Sequence, residues 1–153
     1  MGKGVFYWYF SSKEELFVEI LRDAQRDMRR KQQRAITEID DPVQRVAEGV
    51  RAAVRWSAEH PDLFRLFEFA QTDATFAPAI RAGRETLVKD AVSHLEAAID
   101  EGLIPKGNPE QLAHAIIGVS SLLTYEYVHH RGEPAEEVAD AVAEFCMGGI
   151  GVG

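Results

Sequence analysis

Apolar residues along this chain recur at helical spacing. Leu16, Phe17, Ile20, Leu21, Ala24 and Met28 repeat at steps of three and four, which predicts an amphipathic helix over residues 12–34. Ser12 stands at its N-cap position, and Glu15, three residues on, completes a capping-box pattern. Val43, Val46, Ala47, Val50, Ala53 and Val54 give a second stripe. Asp41 and Pro42 open that helix as cap and first helical residue, and His60-Pro61 closes it, because a residue before proline avoids the α region. A third, shorter helix follows over residues 62–70. Its apolar positions cover more than one face, so it is either buried all round or lines a cavity. Residues 71–75 form a polar break. Pro78 then starts a long helix with Ile80, Leu87, Val88, Ala91, Leu95, Ala98 and Ile99 on its stripe and Gly102 past its end.

Asn108, Pro109 and Gln111 open the next helix. It carries Leu112, Ala115, Ile116, Val119, Leu122, Leu123 and Tyr125 as far as Arg131-Gly132. Pro134 opens the last one, with Val138, Ala141, Val142, Phe145 and Cys146 on its apolar side, and from Gly148 onward the chain reads as a frayed tail. No stretch shows the alternation of a strand, so the fold class predicted is all-α.

Before the first stripe stand five consecutive aromatics, Phe6 to Phe10. Phe6, Tyr9 and Phe10 share one helical face, and Tyr7 and Trp8 must point elsewhere. Such a segment is either an aromatic helix end in a core or a recognition helix. In the second case Tyr7, Trp8 and Lys3 face a phosphate backbone and base edges. The run Lys3-Gly4-Val5-Phe6-Tyr7-Trp8-Tyr9-Phe10, then Ser12-Lys13-Glu14-Glu15-Leu16, resembles the signature of the tetracycline-repressor-like (TetR) family of bacterial transcription regulators. The resemblance implies that residues 1–10 are the end of a helix-turn-helix domain and residues 12–34 its connecting helix. It places Tyr7, Trp8, Tyr9 and Lys13 on DNA, with Lys3 assigned by position. It further implies an effector-binding and dimerisation domain over residues 35–153, its last two long helices forming a bundle with a second subunit. The family has two more helices ahead of this motif. The expectation is therefore a partial DNA-binding domain over residues 1–34, with weak operator binding by the chain as written.

Charge sharpens that division. The net charge is −8, which argues against a nucleic-acid partner for the molecule as a whole. Residues 1–34 nevertheless hold eight Lys/Arg against five Asp/Glu, a balance of +3, and residues 35–153 hold nine against twenty, −11. The single cysteine, Cys146, excludes an intramolecular disulfide. With no signal-peptide pattern and no apolar run of membrane-spanning length, the expectation is a cytoplasmic protein with no membrane partner.

The chemistry-bearing residues form no catalytic constellation, so no enzyme, cofactor or metal is expected. His129 and His130 are adjacent and point about 100° apart on a helix, which does not suit ligation. What stands out is an aromatic-rich middle. Trp56, Phe64 and Phe67 are read either as ordinary core or as the walls of an effector pocket for a small apolar ligand, with Glu68, Gln71, His94, Thr124 and Tyr125 as its polar members. The function expected is a TetR-like homodimeric regulator, a repressor released by that ligand. The alternative is a dimeric ligand- or partner-binding helical module without DNA binding. Ile116, Ile117, Leu122 and Leu123 together exceed one intrachain face, which motivates the homodimer.

Overall fold

The computed structural model describes residues 12–153, and the segment carrying Lys3, Tyr7, Trp8 and Tyr9 lies outside them. The described residues form six α-helices and no strand. They are α1 (Lys13–Ile36), α2 (Pro42–Glu59), α3 (Pro61–Thr72), α4 (Ala77–Asp100), α5 (Pro109–Leu123) and α6 (Ala135–Ile150). The caps sit where the sequence puts them. Ser12 Oγ accepts from the Glu15 amide at 3.1 Å. Asp41 accepts from the amides of Val43 and Gln44 at 2.8 and 3.4 Å. Asn108 accepts from those of Glu110 and Gln111 at 3.0 and 3.2 Å. Each cap satisfies helix-start donors that otherwise have no intrahelical partner.

The core is built around α2. Val43, Val46, Val50 and Val54 meet Val88, Leu95 and Ala98 of α4, Ala113 and Ile116 of α5, and Val138, Ala139, Val142 and Ala143 of α6. Outside that seal, Arg51 reaches Asp140 at 3.0 Å and Arg55 grips Glu136 at 2.7 and 3.1 Å, tying α2 to α6. A second, smaller cluster holds α1, α3 and α4 together: Leu21, Ala70 and Ile80, with Phe17, Leu66, Phe67 and Phe76 packed on it.

The structure corrects the sequence reading in four places. Helix α6 continues to Ile150, which is buried in the core, so Gly148 does not begin a frayed tail. The stop comes at Gly151, with φ at +100°. The Val152 amide closes the end on the Met147 carbonyl at 3.0 Å, and a Cβ on Gly151 would stand 2.6 Å from Pro105 Cδ, so only glycine fits there. Ala141 and Phe145 face outward; Phe145 is 65% exposed. The buried stripe of α6 is Val138, Ala139, Val142, Ala143 and Cys146. Along α5, Ile116, Ile117 and Leu123 turn to the intrachain core, and Leu122 alone of the four stands out, 65% exposed. Finally, α5 does not run on as an α-helix to Arg131. From Thr124 to His130 it widens into a π-helical segment, with the Arg131 amide bonded to the carbonyl of Glu126, five residues back, at 3.1 Å.

Candidate functional site

A cavity of about 210 Å³ lies between the two clusters, walled by α1, α2, α3, α4 and α5. A single water needs only ~10–15 Å³ of such space, so the cavity is of ligand size. Its lining is mostly apolar with a minority of polar groups, the usual make-up of a small-molecule site.

Six of the eight pocket residues expected from sequence line it: Trp56, Phe64, Phe67, Gln71, His94 and Thr124. Glu68 and Tyr125 do not. Glu68 sits beside Phe67 on α3, rotated about 100° from it, and burial raises its carboxyl above the ordinary range. Tyr125 is 40% exposed and reaches the wall only by stacking on the outer side of Phe64, with ring centroids 6.5 Å apart. Of the DNA-facing candidates only Lys13 is described, and it stands exposed on the first turn of α1.

The aromatic end of the cavity is held by side-chain hydrogen bonds. Trp56 is almost completely buried, and its indole N–H donates to Asp27 of α1 at 2.7 Å. That bond holds the Asp27 carboxyl below its usual range. His60 stacks on Trp56 at 4.4 Å and bonds through Nδ1 to the Trp56 carbonyl at 2.8 Å. Ser57 Oγ lies 2.9 Å from His129 Nε2, and His129 stacks on Phe64 at 4.2 Å. Burial, aided by the charge of Arg65, lowers the His129 pKa. Thr124, which lines the cavity, and His129, which meets Ser57, both lie in the π-helical segment. A serine 2.9 Å from a histidine has the spacing of a nucleophile and its base. Ser57, however, lies inside α2, where backbone N–H groups are spent on the helix, so the backbone around it offers no oxyanion donors.

The other end is polar. Arg29 of α1 holds Asp90 of α4 at 2.8 and 3.1 Å, a two-point ion pair bridging the two helices. Gln32 of α1 donates to the Gly49 carbonyl of α2 at 3.0 Å. His94 and Arg45 line the same end. Helix α1 comes close to α4 at Gly83, where an added Cβ would fall 2.1 Å from Gln25 Nε2. Gln25, Gln32, Arg45, Ser57 and Asp90 were not singled out from the sequence. Gln25 and Gln32 are seven residues apart, so they share one side of α1. That pairing was a usable signal of a polar opening beside an apolar stripe. Among the described residues no three His, Cys, Asp or Glu side chains cluster as a metal site, and no helix is long and apolar enough to cross a membrane.

No family model matches the chain, and no curated protein matches it in sequence. Solved structures do match in shape. PfmR, a TetR-family transcriptional regulator from Thermus thermophilus, aligns over 100% of this chain and 84% of its own with a TM-score of 0.79 at 20% identity. A bacterial regulatory protein in the TetR family from Rhodococcus RHA1 aligns over 100% and 82% with a TM-score of 0.81, also at 20% identity. The described helices, their order and their packing are those of the TetR-family transcriptional regulators, and that is the fold of this chain.

Proposed function

We propose that the chain is a TetR-like transcription regulator, acting as a homodimer and as a repressor that a small, largely apolar ligand releases from DNA. The observation that carries this reading is the position of α1. This helix leads directly from the aromatic motif of residues 3–10, and along its length it forms one wall of the cavity through Gln25, Met28 and Gln32. A ligand that favours one seating of α1 over another therefore shifts whatever the preceding segment does. Lys3, Tyr7, Trp8, Tyr9 and Lys13 are the residues this reading places on operator DNA. Residues 35–153 carry −11 and repel DNA at long range, so the 153 residues by themselves are expected to bind an operator weakly.

The homodimer is proposed through the outer faces of α5 and α6, where Leu122 and Phe145 are exposed apolar side chains on neighbouring helices. The double variant Leu122→Glu, Phe145→Glu is expected to sediment as a monomer where the parent is a dimer. A parent that is monomeric at all concentrations removes the dimer from the reading. The regulator reading is tested by anisotropy titration on the DNA upstream of the coding sequence. The chain and a version extended in frame are compared, each with and without a ligand found by thermal-shift screening. Specific binding by the extended version that the ligand weakens supports it. Absence of specific binding by both versions favours a ligand-binding module instead.

A further inference from the structure

The cavity wall leans toward positive charge in an otherwise acidic protein. Three lining residues carry full charges: Arg45, Arg84 and Asp90. The charge of Asp90 is taken up by Arg29 in the two-point pair. Among the described residues neither Arg45 nor Arg84 is paired with a carboxylate. Arg84 is exposed and well solvated, whereas Arg45 is half-buried. Its Nε donates to the Ile39 carbonyl, which fixes the guanidinium and leaves its other N–H groups for a partner. The field of Arg45 is not cancelled locally. His94 is held below its ordinary pKa first by burial and then by Arg45, against the opposing effect of Asp90.

The apolar groups lie at a distance set by α2. Arg45 and Trp56 are eleven residues apart and both line the cavity, so they lie on one side of the helix, separated by about 16 Å along its axis. Between them the α2 wall is Val46, Gly49, Val50 and Ala53, small or apolar throughout. At the Trp56 end, Phe64 and Phe67 complete an aromatic wall.

Resting on the effector-cavity reading above, we propose that the cavity takes an elongated amphipathic carboxylate, its acidic head on Arg45 and its apolar body lying along α2 toward Trp56, Phe64 and Phe67. A half-buried guanidinium with no protein anion is an unfilled fork, and a carboxylate fills it with charge-assisted hydrogen bonds. The free energy of a hydrogen bond to a charged group corresponds to a preference of about tenfold or more over a neutral head of equal chain length.

The test is calorimetric titration of the full chain with decanoate, decan-1-ol and decylammonium at neutral pH, repeated on Arg45→Gln. Decanoate is expected to bind at least about tenfold tighter than the other two, and Arg45→Gln to erase that preference by weakening decanoate far more than decan-1-ol. A second readout needs no variant. The imidazole NMR titration of His94, which faces Arg45 of α2 and, on α4, Asp90 with its α1 partner Arg29, is expected to move to higher pH with decanoate bound and not with decan-1-ol. Equal or tighter binding of decan-1-ol or decylammonium overturns the carboxylate assignment and leaves the effector cavity standing. A preference that survives in Arg45→Gln, or a His94 titration that decanoate does not move, overturns Arg45 as the head site. Failure of all three probes to bind overturns both the carboxylate and the cavity reading.

Discussion

Helices α6 and α1 both pack on α2, but they are held by different physics. Behind α6 lies a continuous apolar seal in which Val138, Ala139, Val142, Ala143, Cys146 and Ile150 are all buried, with the Arg51 and Arg55 ion pairs outside it. Along α1 only Leu21, Ala24 and Ile36 are buried. Phe17 adds a partly buried ring on the small cluster, and beside the cavity the attachment is polar and directional: Asp27 to Trp56, Arg29 to Asp90, Gln32 to the Gly49 carbonyl. Apolar burial is non-directional and lost only by separation, so α6 is expected to stay with the body as one block. Hydrogen bonds around a cavity can be exchanged for bonds to a ligand with little net change in free energy. Of the two helices, α1 is therefore the one a small molecule is expected to reposition.

Stability should suffer most from a cavity on the dry side. Leu95 is fully buried in the main cluster, and Leu95→Ala is expected to lower unfolding stability by about 3 kcal/mol in urea titrations. Leu21 is equally buried but sits in the small cluster beside half-exposed rings. Leu21→Ala is expected to lower stability by about 2 kcal/mol. Its mark in hydrogen exchange would be faster opening of residues 13–36 without change in α6. Equal acceleration in both helices would show that α1 and α6 belong to one cooperative unit after all.

Trp56→Phe probes the polar side. It removes the indole donor from Asp27 and is expected to destabilise by about 1–2 kcal/mol. It also carries a pH signature. Because the folded-state pKa of Asp27 is lowered, chiefly by the Trp56 hydrogen bond, its stabilisation is present above the ordinary aspartate range and fades as pH falls through the depressed value. The variant's acid limb of stability against pH is therefore expected to be shallower than the parent's. An unchanged limb would remove the Asp27–Trp56 bond from the interactions that hold α1.

Arg29→Met is expected to cost less, about 1 kcal/mol, because both partners are about a third exposed and solvent screens the pair. The loss should shrink in high salt, and exchange should rise in α1 first. The smallest effect concerns His129. Burial lowers its folded pKa, so the folded state resists the proton that the unfolded chain accepts. Stability is lost as pH falls below the ordinary histidine range. His129→Gln, measured by thermal melts from neutral pH downward, is expected to remove part of that loss; an identical slope would sink the assignment.

The helices and nearly all their ends are legible in the amino-acid order. Those depend on residues a few positions apart: Ser12, Asp41 and Asn108 cap amides two or three places on, and prolines at 42, 61 and 109 sit where a missing N–H costs nothing. It also offered an aromatic wall as one of two readings, because rings on more than one face of α3 are either buried all round or line a cavity. The pairings between distant residues come from the packed fold alone. Asp27 with Trp56, Arg29 with Asp90 and Ser57 with His129 are 29, 61 and 72 positions apart, and no local periodicity encodes them. The same holds for the faces of α5 and α6. A stripe of period 3.6 says that one side is apolar. Which of Leu122 and Leu123, or of Val142 and Phe145, turns inward depends on where α2 lies, and long-range packing alone settles that. The π-helical turn from Thr124 was not legible either: the apolar spacing of the segment reads as a plain α-helix.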